Sequence, residues 1–197
     1  MDLIFRARSF LLGFVASAVC LTCFGQTKQS AEKRPTPAPE MQSLERAFVG
    51  RWSTTYKFEP GGMSSDGGVG KGEEVWRTGP GGFTLMEEEH VQAPFGEIFL
   101  FALHWWDKST NSLHGMLCNN SGATTCNVDS YYNSSLKWDG KQLVIDLRFP
   151  QGEKKMLWHE VWSRITDTSF TQTGDIREVG VPGKRVLTVQ GTKVGDQ

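Results

Sequence analysis

Glu87, Glu88, Glu89 and His90 stand in a row in a chain that is otherwise sparing with clustered charge. On an extended strand successive side chains alternate, so Glu87 and Glu89 share one face and Glu88 and His90 the other. Two carboxylates on one face can shuttle protons or hold a hard cation. The ordinary alternative is a solvated outer face at an acidic strand end. The four histidines are His90, His104, His114 and His159. None sits in a His-Glu-x-x-His spacing, and no Cys-x-x-Cys is present. His104 and His114 fall on segments joined by one turn, and His90 or His159 would supply a third nitrogen; isolated histidines, packed or exposed, are the ordinary reading. No metal and no cofactor is expected. The seven tryptophans, Trp52, Trp76, Trp105, Trp106, Trp138, Trp158 and Trp162, are the larger signal. An aromatic-lined cavity with a few polar groups suits a small hydrophobic or aromatic ligand. The expected ligand-binding set is Trp76, Glu88, His90, His104, Trp106 and Trp158, and no residue is assigned a catalytic role. The alternative for the tryptophans is that they fill the core.

The elements that must position these residues are strands. Trp52, Thr54, Tyr56 and Phe58 alternate with Ser53, Thr55 and Lys57, a period of two rich in aromatic and β-branched residues. Glycine pairs make 59–68 a loop. Strands follow at 69–78 and 83–91, divided by Gly79-Pro80-Gly81-Gly82. Residues 95–106 are apolar on both faces, with Trp105 and Trp106 forced to opposite sides. Further strands are expected at 113–118 and 126–132. Asp139-Gly140 reads as a type I′ hairpin turn. Leu143, Ile145 and Leu147 then share a face; segments 154–165, 168–178 and 184–194 complete the set. About ten short strands without crossover helices imply an all-β, antiparallel up-and-down barrel. Met41, Leu44 and Phe48 are at helical spacing, so 40–49 is expected to be a short helix closing one barrel end.

Gly50-x-Trp52, Gly81-Gly82-Phe83 before an acidic strand end, Pro94-Phe95-Gly96 and Trp106-Asp107 before a polar turn form an ordered set. Together they resemble the "domain of unknown function fifteen-seventy-nine" family of mostly bacterial, often secreted proteins. The likeness spans roughly 44–193. It implies the calycin-like barrel of lipocalins, with Trp52 as a structural plug, and supplies no catalytic residues. Haem-holding relatives of this barrel, the nitrobindins, bear their iron-ligating histidine near the chain's end. Residues 185–193 here contain none, so haem ligation of that kind is not implied.

Arg6 and Arg8 precede a short uncharged apolar run at 9–24, which reads as a secretory signal peptide ending at residue 25. A lipoprotein signal acylated at Cys20 or Cys23, and an uncleaved anchor, are the alternatives. The expected location is therefore periplasmic or secreted, with no membrane span after processing. Residues 26–39, carrying Pro35, Pro37 and Pro39, read as a tether, and 40–197 as one barrel domain. Cleavage removes two basic residues and one acidic residue from a chain of net charge −1, leaving −2. That gives no electrostatic case for nucleic acid. Of four cysteines, Cys118 and Cys126 remain, and in an oxidising compartment they are expected to pair; two free thiols are the alternative. Asn119-Asn120-Ser121 and Asn133-Ser134-Ser135 match the glycan acceptor pattern.

Three functions remain open. The first is a binding barrel with an internal ligand. The second is a plugged barrel that presents residues 95–106 to a partner or a second copy as a homodimer. The third is an enzyme using Glu88 or His90 with His104. No Gly-x-Ser-x-Gly, phosphate-cradling loop ahead of a helix, or Cys/His nucleophile pattern supports the last.

Overall fold

The computed structural model describes residues 35–120, 126 and 134–196. The expected signal peptide, the first part of the tether, most of the strand expected at 126–132, and the acceptor positions Ser121 and Asn133 lie outside the described residues. A short helix, α1 (Pro39–Phe48), is followed by ten strands: β1 (Gly50–Phe58), β2 (Gly68–Thr78), β3 (Thr84–Ala93), β4 (Gly96–Asp107), β5 (Ser112–Asn119), β6 (Ser134–Trp138), β7 (Leu143–Gln151), β8 (Lys154–Ser163), β9 (Ser169–Glu178) and β10 (Lys184–Gly195). Each pairs antiparallel with its neighbour in sequence, and β1 also pairs with β10, so the sheet closes into a barrel. Among the described residues the β5–β6 seam is the thinnest, joined at Leu113 and Leu136 alone.

β1 alternates buried and exposed along its whole length, with Trp52, Thr54, Tyr56 and Phe58 turned inward. Register carries that phase around the wall. Trp52 lies opposite Glu74, and Glu74 opposite Glu89. Leu85 lies opposite His104. On β4 the inward face is therefore Ile98, Leu100, Ala102, His104 and Trp106. Phe99, Phe101, Leu103 and Trp105 look outward, and Trp105 stacks on His114. Across the barrel Trp158, Glu160 and Trp162 point inward from β8, opposite Ile176, Gly174 and Gln172 of β9. Gly174 is needed there: a Cβ would sit 2.7 Å from the Trp158 ring.

α1 closes one end. Pro39 fits its first turn, and Met41, Leu44 and Phe48 form the buried stripe. Phe48 stacks on Trp76 with centroids 4.7 Å apart and meets Trp162 edge-on at 5.5 Å. Trp52 Nε1 donates to the Phe48 carbonyl at 2.8 Å, and Trp138 Nε1 to Ser43 Oγ at 3.0 Å. Full burial of each such side chain stabilises by about 1.5–3 kcal/mol, and each favourable ring pair adds about 0.5–1.5 kcal/mol. Trp52, Phe170 and Trp162 complete this aromatic plug.

Two local expectations need correction. The β6–β7 connection is not a two-residue type I′ turn; Trp138 pairs with Leu143, leaving four residues between them. Asp139 Oδ1 accepts from the backbone N–H groups of Lys141 and Gln142 at 2.8 and 2.7 Å, which draws the loop around the carboxylate. β8 ends at Ser163 rather than 165, because Arg164 adopts φ 52° and leaves the ladder. The expected Cys118–Cys126 disulfide is present, with Cα atoms 4.1 Å apart.

Candidate functional site

Beyond the plug the lumen changes chemistry within single strands. On β2, Trp76 belongs to the plug, and Glu74, two residues away on the same face, does not. On β3 the inward sequence runs Leu85, Glu87, Glu89, Val91. β8 adds Glu160 between Trp158 and Trp162. Four carboxyl groups from three strands thus enter one apolar barrel, together with Tyr56, His104 and Gln172.

The hydrogen bonds among them are specific. Tyr56 Oη lies 2.9 Å from Glu74 Oε1 and 2.5 Å from Glu89 Oε1. A phenol has one proton to donate. The second contact is a hydrogen bond only when that carboxyl carries a proton and donates to the phenol oxygen. Trp76 Nε1 donates to Glu74 Oε2 at 3.3 Å. Glu160 accepts from two indoles, Trp158 at 2.9 Å and Trp162 at 2.5 Å. His104 stacks on Trp76 with centroids 5.6 Å apart, and its Nε2 is 3.5 Å from Glu87 Oε2.

Burial sets the protonation of the group. Loss of water raises Glu74 well above the ordinary carboxylate range, and the Glu89 charge adds to it. Burial raises Glu87 likewise, with Glu74, Glu89 and Glu160 acting in the same direction. Glu89 rises to about 7, chiefly by burial, against the opposing pull of its Tyr56 hydrogen bond. Tyr56 is raised by burial and by Glu74 and Glu89. Burial lowers His104 to about 4. Burial thus favours the uncharged form of both partners, which speaks against an ion pair in the His104–Glu87 contact. Because these groups share charge across the lumen, their protons belong to the cluster more than to any one residue.

The inward side chains differ in how far water reaches them. At the helix end Trp52, Trp76 and Phe48 are fully buried. Glu89, Leu100, Ile145, Leu147, Trp158, Glu160 and Ile176 also face the lumen, yet each is only half-buried. The half-buried side chains lie mainly on β4, β7, β8 and β9, whereas on β1, β3 and β10 the inward residues past the acids, Phe58, Val91, Leu187 and Val189, are buried like the plug.

Of the residues expected from sequence, His104 and Trp76 meet inside, and Trp158 joins the same cluster through Glu160. Trp106 faces inward but packs half-buried against the core. Glu88 and His90 do not belong with them. Glu88 pairs with Arg77 on the outer face at 2.7 Å. His90 stacks outside on Phe99, centroids 4.4 Å apart. Strand phase puts both on the wall opposite to His104, so an enzyme built from Glu88 or His90 with His104 has no common site. His114 bonds Thr110 and Ser112 at a turn, and His159 pairs with Asp146 at 2.7 Å on the outside. The three-nitrogen set does not form, and among the described residues no group of three His, Cys, Asp or Glu is arranged to hold a metal.

Sequence reasoning missed Tyr56, Glu74 and Glu160 as site residues and treated the Glu87–Glu89 face as solvent. The signal was present: Glu74 is in phase with Trp76, and Glu160 with Trp158 and Trp162. An open groove of about 570 Å³ lies against the wall of β2–β5, lined by Val75, Glu88, His90, Phe99 and Phe101 and also by Glu89 and Leu100.

No family model matches the chain, and no curated protein sequence matches it; the resemblance drawn above rests on its motifs alone. The fold is similar to the crystal structure of Rv2717c from M. tuberculosis, with a TM-score of 0.55 and 15% identity, over 80% of this chain and 99% of that one. An S-type phycobiliprotein lyase, CPES from Guillardia theta, aligns with a TM-score of 0.45 and 10% identity, over 83% and 94% of the two chains.

Proposed function

We propose that this chain is an exported lipocalin-like barrel that binds a small, largely aromatic ligand in the half of its lumen that α1 does not seal. One observation carries the reading. Inward-facing apolar and indole side chains, among them Leu100, Ile145, Leu147 and Trp158, are reached by solvent beside a set of polar groups. A concave apolar wall with a few fixed polar groups is the usual form of a small-molecule site. The Cys118–Cys126 bridge supports export, since such bonds persist in oxidising compartments. Among the described residues no helix is long and apolar enough to cross a membrane.

Two measurements test the reading. Native mass spectrometry of protein purified from its own host should show a retained small molecule. Titration with the neutral fluorophore N-phenyl-1-naphthylamine should give saturable enhancement that Trp158→Ala weakens by at least fivefold. An empty native spectrum together with no saturable enhancement would remove the reading. A second reading has a specific basis in the outer face of β4, where Phe99 is 48% exposed beside Phe101, Leu103 and Trp105. Contiguous apolar surface of this kind marks contact sites. Sedimentation of the wild type and of Phe99→Ser decides it: a monomer at high concentration in both cases speaks against a homodimer.

A further inference from the structure

The acidic part of the lumen is rich in carboxyl groups and holds several unpartnered polar atoms. Its indole donors are engaged, Trp76 on Glu74 and Trp158 and Trp162 on Glu160, and the Tyr56 hydroxyl lies between Glu74 and Glu89, whereas the buried Thr54 hydroxyl has no partner. Gln172 Oε1 is buried without a partner, on a residue only 7% exposed. His104 is 2% exposed, and neither ring nitrogen has a hydrogen bond, although Nε2 faces Glu87. A neutral imidazole offers one lone pair. The four carboxyls have lone pairs to spare, and no lysine or arginine answers them. Every Lys or Arg ion pair among the described residues uses a different carboxylate: Glu59, Glu73, Glu88, Asp175, Glu178 or Asp196.

A buried polar atom left without a partner is costly, and native interiors rarely tolerate several together. What the carboxyls here lack is positive charge. An ammonium group has three N–H donors and no acceptor. The indoles beside the carboxyls point their N–H edges at Glu74 and Glu160, and the half-buried Trp158 adds aromatic surface for a ligand's ring. A metal ion is the less suitable occupant. The carboxyls are held apart by different partners, Glu160 on two indoles and Glu74 with Glu89 on the phenol, and no three ligating groups converge.

Resting on the binding function proposed above, we propose that the ligand is an organic cation: an aromatic ring carrying a primary amine, its ammonium on Glu74 and Glu89, which meet at the Tyr56 hydroxyl, and its ring against Trp158. Charge uptake must be balanced by proton release. The groups that face the cluster are Tyr56 from β1, Glu74 from β2, Glu87 and Glu89 from β3, His104 from β4 and Glu160 from β8. Lys193 of β10 lies over Trp52 in the plug and pairs with Asp196. With Glu89 raised to about 7, the empty cluster holds protons at neutral pH. A bound ammonium stabilises the carboxylates, so protons leave as the amine enters. Affinity therefore rises with pH until the amine itself deprotonates, near 10 for an alkylammonium.

Calorimetric titration of the full chain with 2-phenylethylamine and its neutral isostere 2-phenylethanol, at pH 6 and pH 8, tests the inference. The amine should bind at least tenfold more tightly than the alcohol at pH 8. The preference should shrink several-fold at pH 6, and heats measured in buffers of different ionisation enthalpy should report proton release. Glu74→Gln with Glu89→Gln, shown to be folded by circular dichroism, should lose the preference, the amine then binding no more tightly than the alcohol. Glu88→Gln, on the outer wall, should keep both. If the alcohol binds as well as the amine, or if the double variant keeps the preference, the cation inference is overturned and the binding reading stands. If neither compound binds, both fall.

Discussion

Replacing Glu89 with glutamine should change how stability depends on pH, in a direction the structure dictates. Glu89 rises from an ordinary 4.5 to about 7 in the folded state, mainly by burial. Between those values the folded protein binds more protons at this site than the unfolded chain. Its contribution is thus fully present below pH 4.5 and is lost as pH rises through about 7. The difference corresponds to about 3 kcal/mol by proton linkage, an upper figure because the carboxyl is only half-buried and water screens it. His104 acts with the opposite sign. Lowered from 6.5 to about 4, it loses stability as pH falls from 6.5 towards 4 and is silent above. Both proteins contain His104, so its effect largely cancels in their difference. Urea unfolding of wild type and Glu89→Gln, without reductant, at half-unit steps from pH 4.5 to 8.5 gives that difference directly. The variant should gain on the wild type by up to about 3 kcal/mol across the range, with most of the gain complete near pH 7. Glu89 also raises Glu74, so part of the gain reports the cluster relaxing. A pH-independent difference would refute the reasoning, and a variant that loses ground as pH rises would reverse its sign.

Reducing the Cys118–Cys126 bridge, or replacing both residues with alanine, should lower the unfolding free energy by about 2–3 kcal/mol, the loop-closure value for so short a loop. Peptide mapping after thiol labelling of the unreduced protein should find both positions blocked; full labelling of both would contradict the bridge. Gly174→Ala should force the Trp158 ring aside and cost about 1–3 kcal/mol, with a changed near-ultraviolet circular dichroism signal. Unaltered stability and signal would mean that the indole is not held where the structure places it. Combining Glu74→Met, Glu89→Met and Tyr56→Phe removes the polar triad as a unit. At pH 8 this should stabilise the barrel by about 1–4 kcal/mol, as apolar replacement of buried charged groups often does. It should also abolish any amine preference. Destabilisation by several kcal/mol would show that the triad serves the fold.

Much of the barrel was legible because each strand is half-buried. Trp52, Thr54, Tyr56 and Phe58 announce their inward face by alternation, and glycine pairs mark the breaks. β4 was not legible in the same way. Phe99, Phe101, Leu103 and Trp105 are as apolar as Ile98, Leu100, Ala102 and Trp106, so composition cannot say which set turns inward. Pairing with β3 decides it by placing His104 opposite Leu85. The Asp139 turn was misread because a side-chain oxygen, not the backbone, organises it. The site was the least legible part. Glu74 and Glu89 are 18 and 33 positions from Tyr56 in sequence, and only two registers in succession make the three neighbours. Phase alone, taken seriously at polar residues as it was at Trp76, would have turned Glu74 and Glu160 inward.

The boundary between the two halves of the lumen gives the acids their meaning. It does not follow a strand or a loop but crosses the wall, passing between Trp76 and Glu74 on β2 and between Leu85 and Glu87 on β3. The same strands that fill the plug with tightly packed rings supply carboxyls one step further along the same face. A chain able to pack Trp52, Trp76, Trp162 and Phe170 into a dry core has the means to continue that core. Interrupting it with carboxyl groups that raise one another's pKa weakens the folded state at neutral pH. Departures from local stability rules that share one place in a structure, with no compensation in packing, are where function is expected. The partial exposure of Glu89, Glu160 and Trp158 points to the same place, since solvent reaches these inward side chains. An occupant that brings positive charge would answer the carboxyls, and the barrel would then be most stable when filled.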